Sequence, residues 1–286
     1  MNKNKLRCFI PLIVASPSVI IGAITMGSNN IPRMTFGQNI ICLFFGWLIS
    51  CYFISSKTEI NKTVGKIFIV LVLYVFTFIN LGIGGVHRWV SLGPIRLYLS
   101  SIFIPVLIIE LWRLLMKNRE LVAVFITVVI TILLILQPDA SQLTAFAIPM
   151  IIILFNKFNK KIICYIIISL LSIGTIISWV FLDSLPAVSY VEEIISLVLN
   201  MGMIWFVLGI ISLVILPLPF IVFPKEGVEL LSRCIGLYFI IVIITTFFGN
   251  FPVPLMGYGI SPIIGYFIAI TWLLKSNNEI EIDNLS

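Results

Sequence analysis

Charge is what this 286-residue sequence has least of, since Asp, Glu, Lys and Arg together make up 10% of it against roughly a quarter in an ordinary soluble domain. With 60% of residues apolar, that scarcity excludes a soluble globular chain and leaves a polytopic membrane protein. Cysteine is sparse too: Cys8, Cys42, Cys51, Cys164 and Cys234 lie apart in apolar segments with no CxxC pair, which supports neither a disulfide framework nor a thiolate metal site. They read as small buried hydrophobes. A small-residue cleavage site is missing after the basic start Lys3, Lys5, Arg7, so the apolar run that continues to about Met26 reads as an uncleaved first span. The net charge of +6 does not point to nucleic acid, because the cations fall in short loops between apolar runs.

What is present is hydrocarbon-compatible length. Apolar runs able to cross about 30 Å of lipid occur at 8–27, 38–55, 66–83, 99–116, 121–137, 140–156, 162–182, 194–221, 228–249 and 256–274, ten in all. They lack period-two alternation, and lipid admits only helices or closed barrels, so the expectation is an all-α polytopic bundle. Placing the N-terminus in the cytoplasm puts Lys57, Lys62, Lys66, Arg113, Lys117, Arg119, Lys157, Lys160, Lys161, Lys225 and Lys275 on that side, with the acidic tail 275–286 beside them. Outside there remain Arg33, Arg88 and Arg96.

Two of those three outside cations belong to Gly82–Ser101, GIGGVHRWVSLGPIRLYLSS, which also holds the sole histidine, His87. A short Gly-rich loop carrying cations between apolar spans suits an anion in the outer leaflet. Arg88, always charged, is the expected anion contact ahead of His87, with Trp89 in the interfacial aromatic belt. The fifth and sixth spans are joined by LQPDAS, too short to leave the surface, so Asp139 sits at the outer interface, either as the N-cap of the sixth helix or as a substrate contact. LDSLPAVSYVEE carries Asp183, Glu192 and Glu193 before the eighth span, and Pro217 and Pro219 should bend or end that span. Glu110 and Arg113, three apart on one helix, suggest an ion pair near the cytoplasmic interface. The stretch 249–262, GNFPVPLMGYGISP, is irregular backbone at membrane depth and is expected to face the same cavity as 82–101.

These outside stretches together resemble the SEDS family (shape, elongation, division and sporulation), membrane proteins of the FtsW, RodA and SpoVE type. The family's RRWIxLGxxxxQPSExxK loop is matched by His87-Arg88-Trp89-Val90-Ser91-Leu92-Gly93, its LQPDxGTA by Leu136-Gln137-Pro138-Asp139-Ala140-Ser141, and its PLPFISYGGSS by Pro252, Pro254, Tyr258, Gly259 and Ser261. The order and the ten-span frame agree over essentially the whole chain, read as one transmembrane domain, 1–286. The resemblance implies a role in bacterial peptidoglycan synthesis for division or shape, in the plasma membrane with both termini cytoplasmic. It also implies a lipid II-like precursor as substrate, a single-span class B penicillin-binding protein as partner, and a divalent cation as candidate cofactor.

The departures are specific. QPSExxK becomes Tyr98-Leu99-Ser100-Ser101-Ile102-Phe103-Ile104, without the Glu and Lys, and the family's essential Asp falls on Val191. Polymerising a glycan by displacement at the anomeric carbon needs a base near the attacking hydroxyl and positive charge near the leaving pyrophosphate. Arg88 and Arg96 suit the pyrophosphate; Glu192 and Glu193 are candidate bases only if the local register slips, since one residue turns a helix by about 100°. His87, Trp89, Asp139, Tyr258 and Ser261 complete the candidate substrate contacts. Three readings stay open: a peptidoglycan glycosyltransferase, a silent scaffold that binds precursor or partner, and a transporter of the lipid-linked precursor, which lacks support from mid-membrane charge or inverted repeats.

Overall fold

The protein is described here from a computed structural model covering residues 7–56, 63–79, 82–93, 95–158 and 161–283. Lys3, Lys5, Lys57, Lys62 and Lys160 of the basic loops, and 284–286 of the acidic tail, lie outside the described residues. Among the described residues the chain forms twelve helices and a single two-stranded hairpin. In order these are α1 (Ile10–Ser28), α2 (Arg33–Ser55), α3 (Thr63–Phe76), β1 (Trp89–Leu92), β2 (Ile95–Tyr98), α4 (Leu99–Met116), α5 (Glu120–Leu136) and α6 (Ala140–Lys157). There follow α7 (Lys161–Val180), α8 (Ile194–Asn200), α9 (Met203–Ile215), α10 (Leu218–Val222), α11 (Glu229–Thr245) and α12 (Ile260–Asp283).

Each of the ten apolar runs is helical. Five helices, α1, α2, α4, α6 and α7, are long and apolar enough to cross a membrane, and α3, α5 and α9 are shorter apolar helices. The protein is a multi-pass membrane protein. Five span threonines satisfy their hydroxyls inside the helix: Thr25, Thr127, Thr131, Thr144 and Thr175 each donate to the carbonyl four residues back, at 2.6–2.9 Å. A hydroxyl left unpaired in hydrocarbon would cost far more than the slight bend such bonds impose.

Two runs depart from single straight spans. The third ends early, at Phe76, and gives way to a turn at 77–79. The eighth is three helices rather than one, broken first at Gly202, whose φ of +118° favours glycine, and again at Pro217, where the expected proline break occurs.

The chain divides into two compact units. The first comprises 1–59 and 186–286: α2 packs on α1 and α12, α1 also meets α8 and α9, and α10 and α11 pair. The aromatic group Phe220, Phe239 and Tyr266 fills part of its interior, with ring centroids 5.1–6.1 Å apart. The second comprises 60–185, where α4 is the central helix, packed against α3, α5 and α6, with Leu107, Ile108 and Leu111 fully buried. At the other end of α4 the expected Glu110–Arg113 pair forms at 2.8 Å, and Lys66 of α3 joins it at 2.9 Å, which ties the two helices.

Candidate functional site

In the second unit the candidate residues gather around the hairpin that interrupts 82–101. Trp89-Val90-Ser91-Leu92 and Ile95-Arg96-Leu97-Tyr98 pair antiparallel, so Trp89 faces Tyr98 across the ladder and Ser91 faces Arg96. Before it, Gly82 has a φ of +67°, and a Cβ there would stand 2.6 Å from the Val86 carbonyl oxygen, so the tight bridge between Ile83 and Val86 needs glycine.

Arg88 is buried, 3% exposed, and its guanidinium is committed to protein acceptors. Nε donates to the Gln137 carbonyl at 3.3 Å, while Nη2 donates to the Pro138 carbonyl and to the Asp183 carboxylate. The planar fork thus reads the LQPD segment and the end of the seventh run at once, a task that a point-charge ammonium does not reproduce. Gln137 is itself buried. Its amide donates to Thr77 at 2.9 Å and its side-chain oxygen accepts from Ser100 at 3.3 Å.

Asp139 is the N-cap of α6: one carboxylate oxygen accepts from the Gln142 backbone N–H at 3.3 Å and the other from the Tyr98 hydroxyl at 2.6 Å. Burial pushes its carboxyl above the ordinary 3.8, against the pull of Arg88, of Tyr98, of the Gln142 amide and of Ser100. His87 stacks on Phe78 at 5.5 Å, and its buried Nδ1 has no hydrogen-bond partner. Arg96, by contrast, is exposed on β2 and forms no ion pair among the described residues. Trp89 is half-buried, 6.3 Å from the Tyr98 ring.

In the first unit the stretch 249–262 is held by α2 and by the backbone before α8. Asn39, 1% exposed, donates to the Gly257 carbonyl at 3.0 Å and accepts from the Gly259 N–H at 3.1 Å, bracketing Tyr258. The Tyr258 hydroxyl donates to Gln38 at 3.0 Å, and its backbone N–H donates to the Tyr190 carbonyl at 2.9 Å. Ser261 is buried in the first turn of α12.

The position where an acid was expected is fixed by these contacts. Val191 donates its N–H to Val188 at 2.9 Å and accepts from the Val253 N–H at 3.2 Å. A Cβ on Gly257 would stand 2.4 Å from the Val191 carbonyl oxygen, so only glycine allows the two backbones to meet. Glu192 accepts the Val188 N–H at 2.8 Å, closing its own turn. Glu193 is the exposed N-cap residue of α8 and makes no side-chain cap bond.

Sequence reasoning missed Asp183 as the partner of Arg88, Tyr98 and Gln137 as its buried neighbours, and Asn39 and Gln38 as the clamp on 257–259. Asp183 was grouped with Glu192 and Glu193, but it belongs to the second unit and they to the first. The signal for the hairpin was in WVSLGPIRLY, where a Gly-Pro dipeptide separates two runs rich in β-branched and aromatic residues. The clamp had no such signal, since a lone Asn in an apolar helix does not name its partner. Among the described residues no group of three or more His, Cys, Asp or Glu gathers to hold a metal ion.

No family model and no curated protein matches this sequence. Solved structures do. The crystal structure of the Thermus thermophilus rod shape determining protein RodA matches with a TM-score of 0.71 at 16% identity, covering 95% of this chain and 96% of that one. An aspartate-to-alanine variant of the same RodA matches with a TM-score of 0.69 at 14% identity, covering 95% and 97%. Over 95% of its length, therefore, this chain has the fold of RodA.

Proposed function

We propose that this chain is a SEDS-like membrane protein of bacterial cell-wall synthesis that binds a lipid-linked pyrophosphate precursor of the lipid II type. The whole chain, 1–286, acts in this reading as one transmembrane domain of the plasma membrane with both termini cytoplasmic. The observation that carries the proposal is the RodA fold over 95% of the chain. The three motif matches in LQPDAS, HRWVSLG and GNFPVPLMGYGISP support it at the level of residues.

Within this proposal the cationic contact with the pyrophosphate is Arg96, exposed on the hairpin, with Trp89 beside it at the interface. Arg88, His87 and Asp139 act as positioning residues, because Arg88 and Asp139 are already occupied in holding the hairpin to the start of α6. Tyr258 and Ser261 are the corresponding candidates in the first unit.

Val191 supports a silent scaffold over a polymerase. The register slip that would bring Glu192 to its place is opposed by backbone bonds on both of its sides, and Glu192 is spent on Val188. The polymerase reading is favoured by Glu193 alone, which is exposed two residues from the same place. A scaffold of this kind would pair with a single-span transpeptidase of the penicillin-binding class. Purified protein incubated with lipid II and a divalent metal, scored for glycan strands, tests both readings. Inert wild type with activity gained in Val191→Asp supports the silent scaffold; active wild type that loses rate in Glu193→Gln supports the polymerase.

A further inference from the structure

Cys8 and Cys51, 43 residues apart, meet in the first unit at the start of α1 and the end of α2. Three residues of α2 at four-residue spacing, which places them on one face, converge on Cys8. Trp47 Nε1 donates to the Cys8 carbonyl at 3.0 Å, the Cys51 thiol donates to the same carbonyl at 3.3 Å, and Ser55 Oγ lies 3.9 Å from the Cys8 Sγ. Cys51 Sγ therefore stands against the backbone of Cys8, on the same face of α2 as the Ser55 hydroxyl that meets the Cys8 thiol. Both residues are half-buried, whereas Cys164 and Cys234 are buried in helices without a second thiol, which suits their expected role as small hydrophobes.

We infer that Cys8 and Cys51 form a modification site: a dithiol that a peroxide-class oxidant converts to a disulfide, clamping the entrance of α1 to α2. One thiol, as its thiolate, attacks a peroxide oxygen; the O–O bond breaks, the released hydroxide takes up the proton, and a sulfenic acid forms. The second sulfur then attacks the sulfenic sulfur, the S–S bond forms, and water leaves with the second thiol's proton. The sum is two thiols and one hydrogen peroxide giving one disulfide and two waters. The geometry supports the second step, since α2 packs on α1 and Trp47 holds the Cys8 backbone in place, so the resolving thiol need travel little once the first is oxidised.

The test uses the full chain in detergent with Cys42, Cys164 and Cys234 replaced by Ala, treated with hydrogen peroxide and analysed by peptide mass spectrometry without reduction. The expected result is a linked Cys8–Cys51 peptide pair that a thiol reductant separates, with a melting temperature that rises on oxidation and returns on reduction. Cys8→Ser and Cys51→Ser should each abolish both changes while melting like the reduced parent. The same treatment of the chain with all five native cysteines guards against a background that fails to fold. Oxidation of either thiol singly to sulfinic acid, or recovery of both thiols unmodified from folded protein, would overturn the assignment.

Discussion

Replacing Arg88 with Ala should unfold the hairpin end of the second unit before it touches any ligand. The Arg88 and Asp183 side chains are 4% and 10% exposed, so the pair is desolvated, and removing one partner of such a pair typically costs about 3–5 kcal/mol because the other charge stays buried alone. The Gln137 and Pro138 carbonyls lose their donor in the same substitution. Arg88→Lys keeps the charge but loses the fork, and should recover only part of the loss. The assay is thermal unfolding in detergent across a double-mutant cycle of Arg88→Gln and Asp183→Asn. The double variant should be less destabilised than the sum of the singles, with a coupling of about 0.5–3 kcal/mol. An Arg88→Ala protein within about 0.5 kcal/mol of wild type, or a cycle with no coupling, would refute the assignment of Arg88 as a strut.

Arg96→Ala should leave the melting temperature unchanged and weaken lipid II binding about tenfold to a hundredfold, the value of one or two charge-assisted hydrogen bonds, measured by native mass spectrometry. Gly257→Ala should cost about 1–3 kcal/mol in thermal unfolding, since the new Cβ would meet backbone oxygen of Val191 at 2.4 Å and neither strand of backbone is free to give. Asn39→Leu should cost a similar amount by stranding the Gly257 carbonyl and the Gly259 amide. Asp139 has a folded-state pKa raised by burial, so its contribution to stability is present below about 3.8 and is lost as pH rises through the raised value. Melting curves over pH should therefore show Asp139→Asn gaining on wild type as pH rises, and parallel curves would count against this.

The spans were legible because lipid permits so few solutions. Once ten apolar runs of sufficient length are present, helices follow from the need to satisfy every backbone group, and every one of those runs holds helix, the eighth as three pieces. Asp139 was legible for a similar reason, since a short acid after Pro138 and before an apolar run has the local pattern of a cap. Arg88 was legible as important but not in its role. An arginine in an outer loop looks available, and what occupies it, Asp183, stands 95 residues away in sequence and is brought there only by the packing of the second unit. The clamp of Asn39 on Gly257 and Gly259 spans about 220 residues and was hidden for the same reason. Local chemistry reads from sequence; long-range pairing of polar groups does not.

Under the proposed function this RodA-like fold binds a lipid-linked pyrophosphate glycan. The most direct measurement is retention of lipid II by purified wild-type protein in detergent, competed with an anionic phospholipid that lacks the sugar and the pyrophosphate. Lipid II should be bound in preference to the phospholipid, with that preference reduced in Arg96→Ala at unchanged melting temperature. Equal retention of the two lipids by wild type would contradict it.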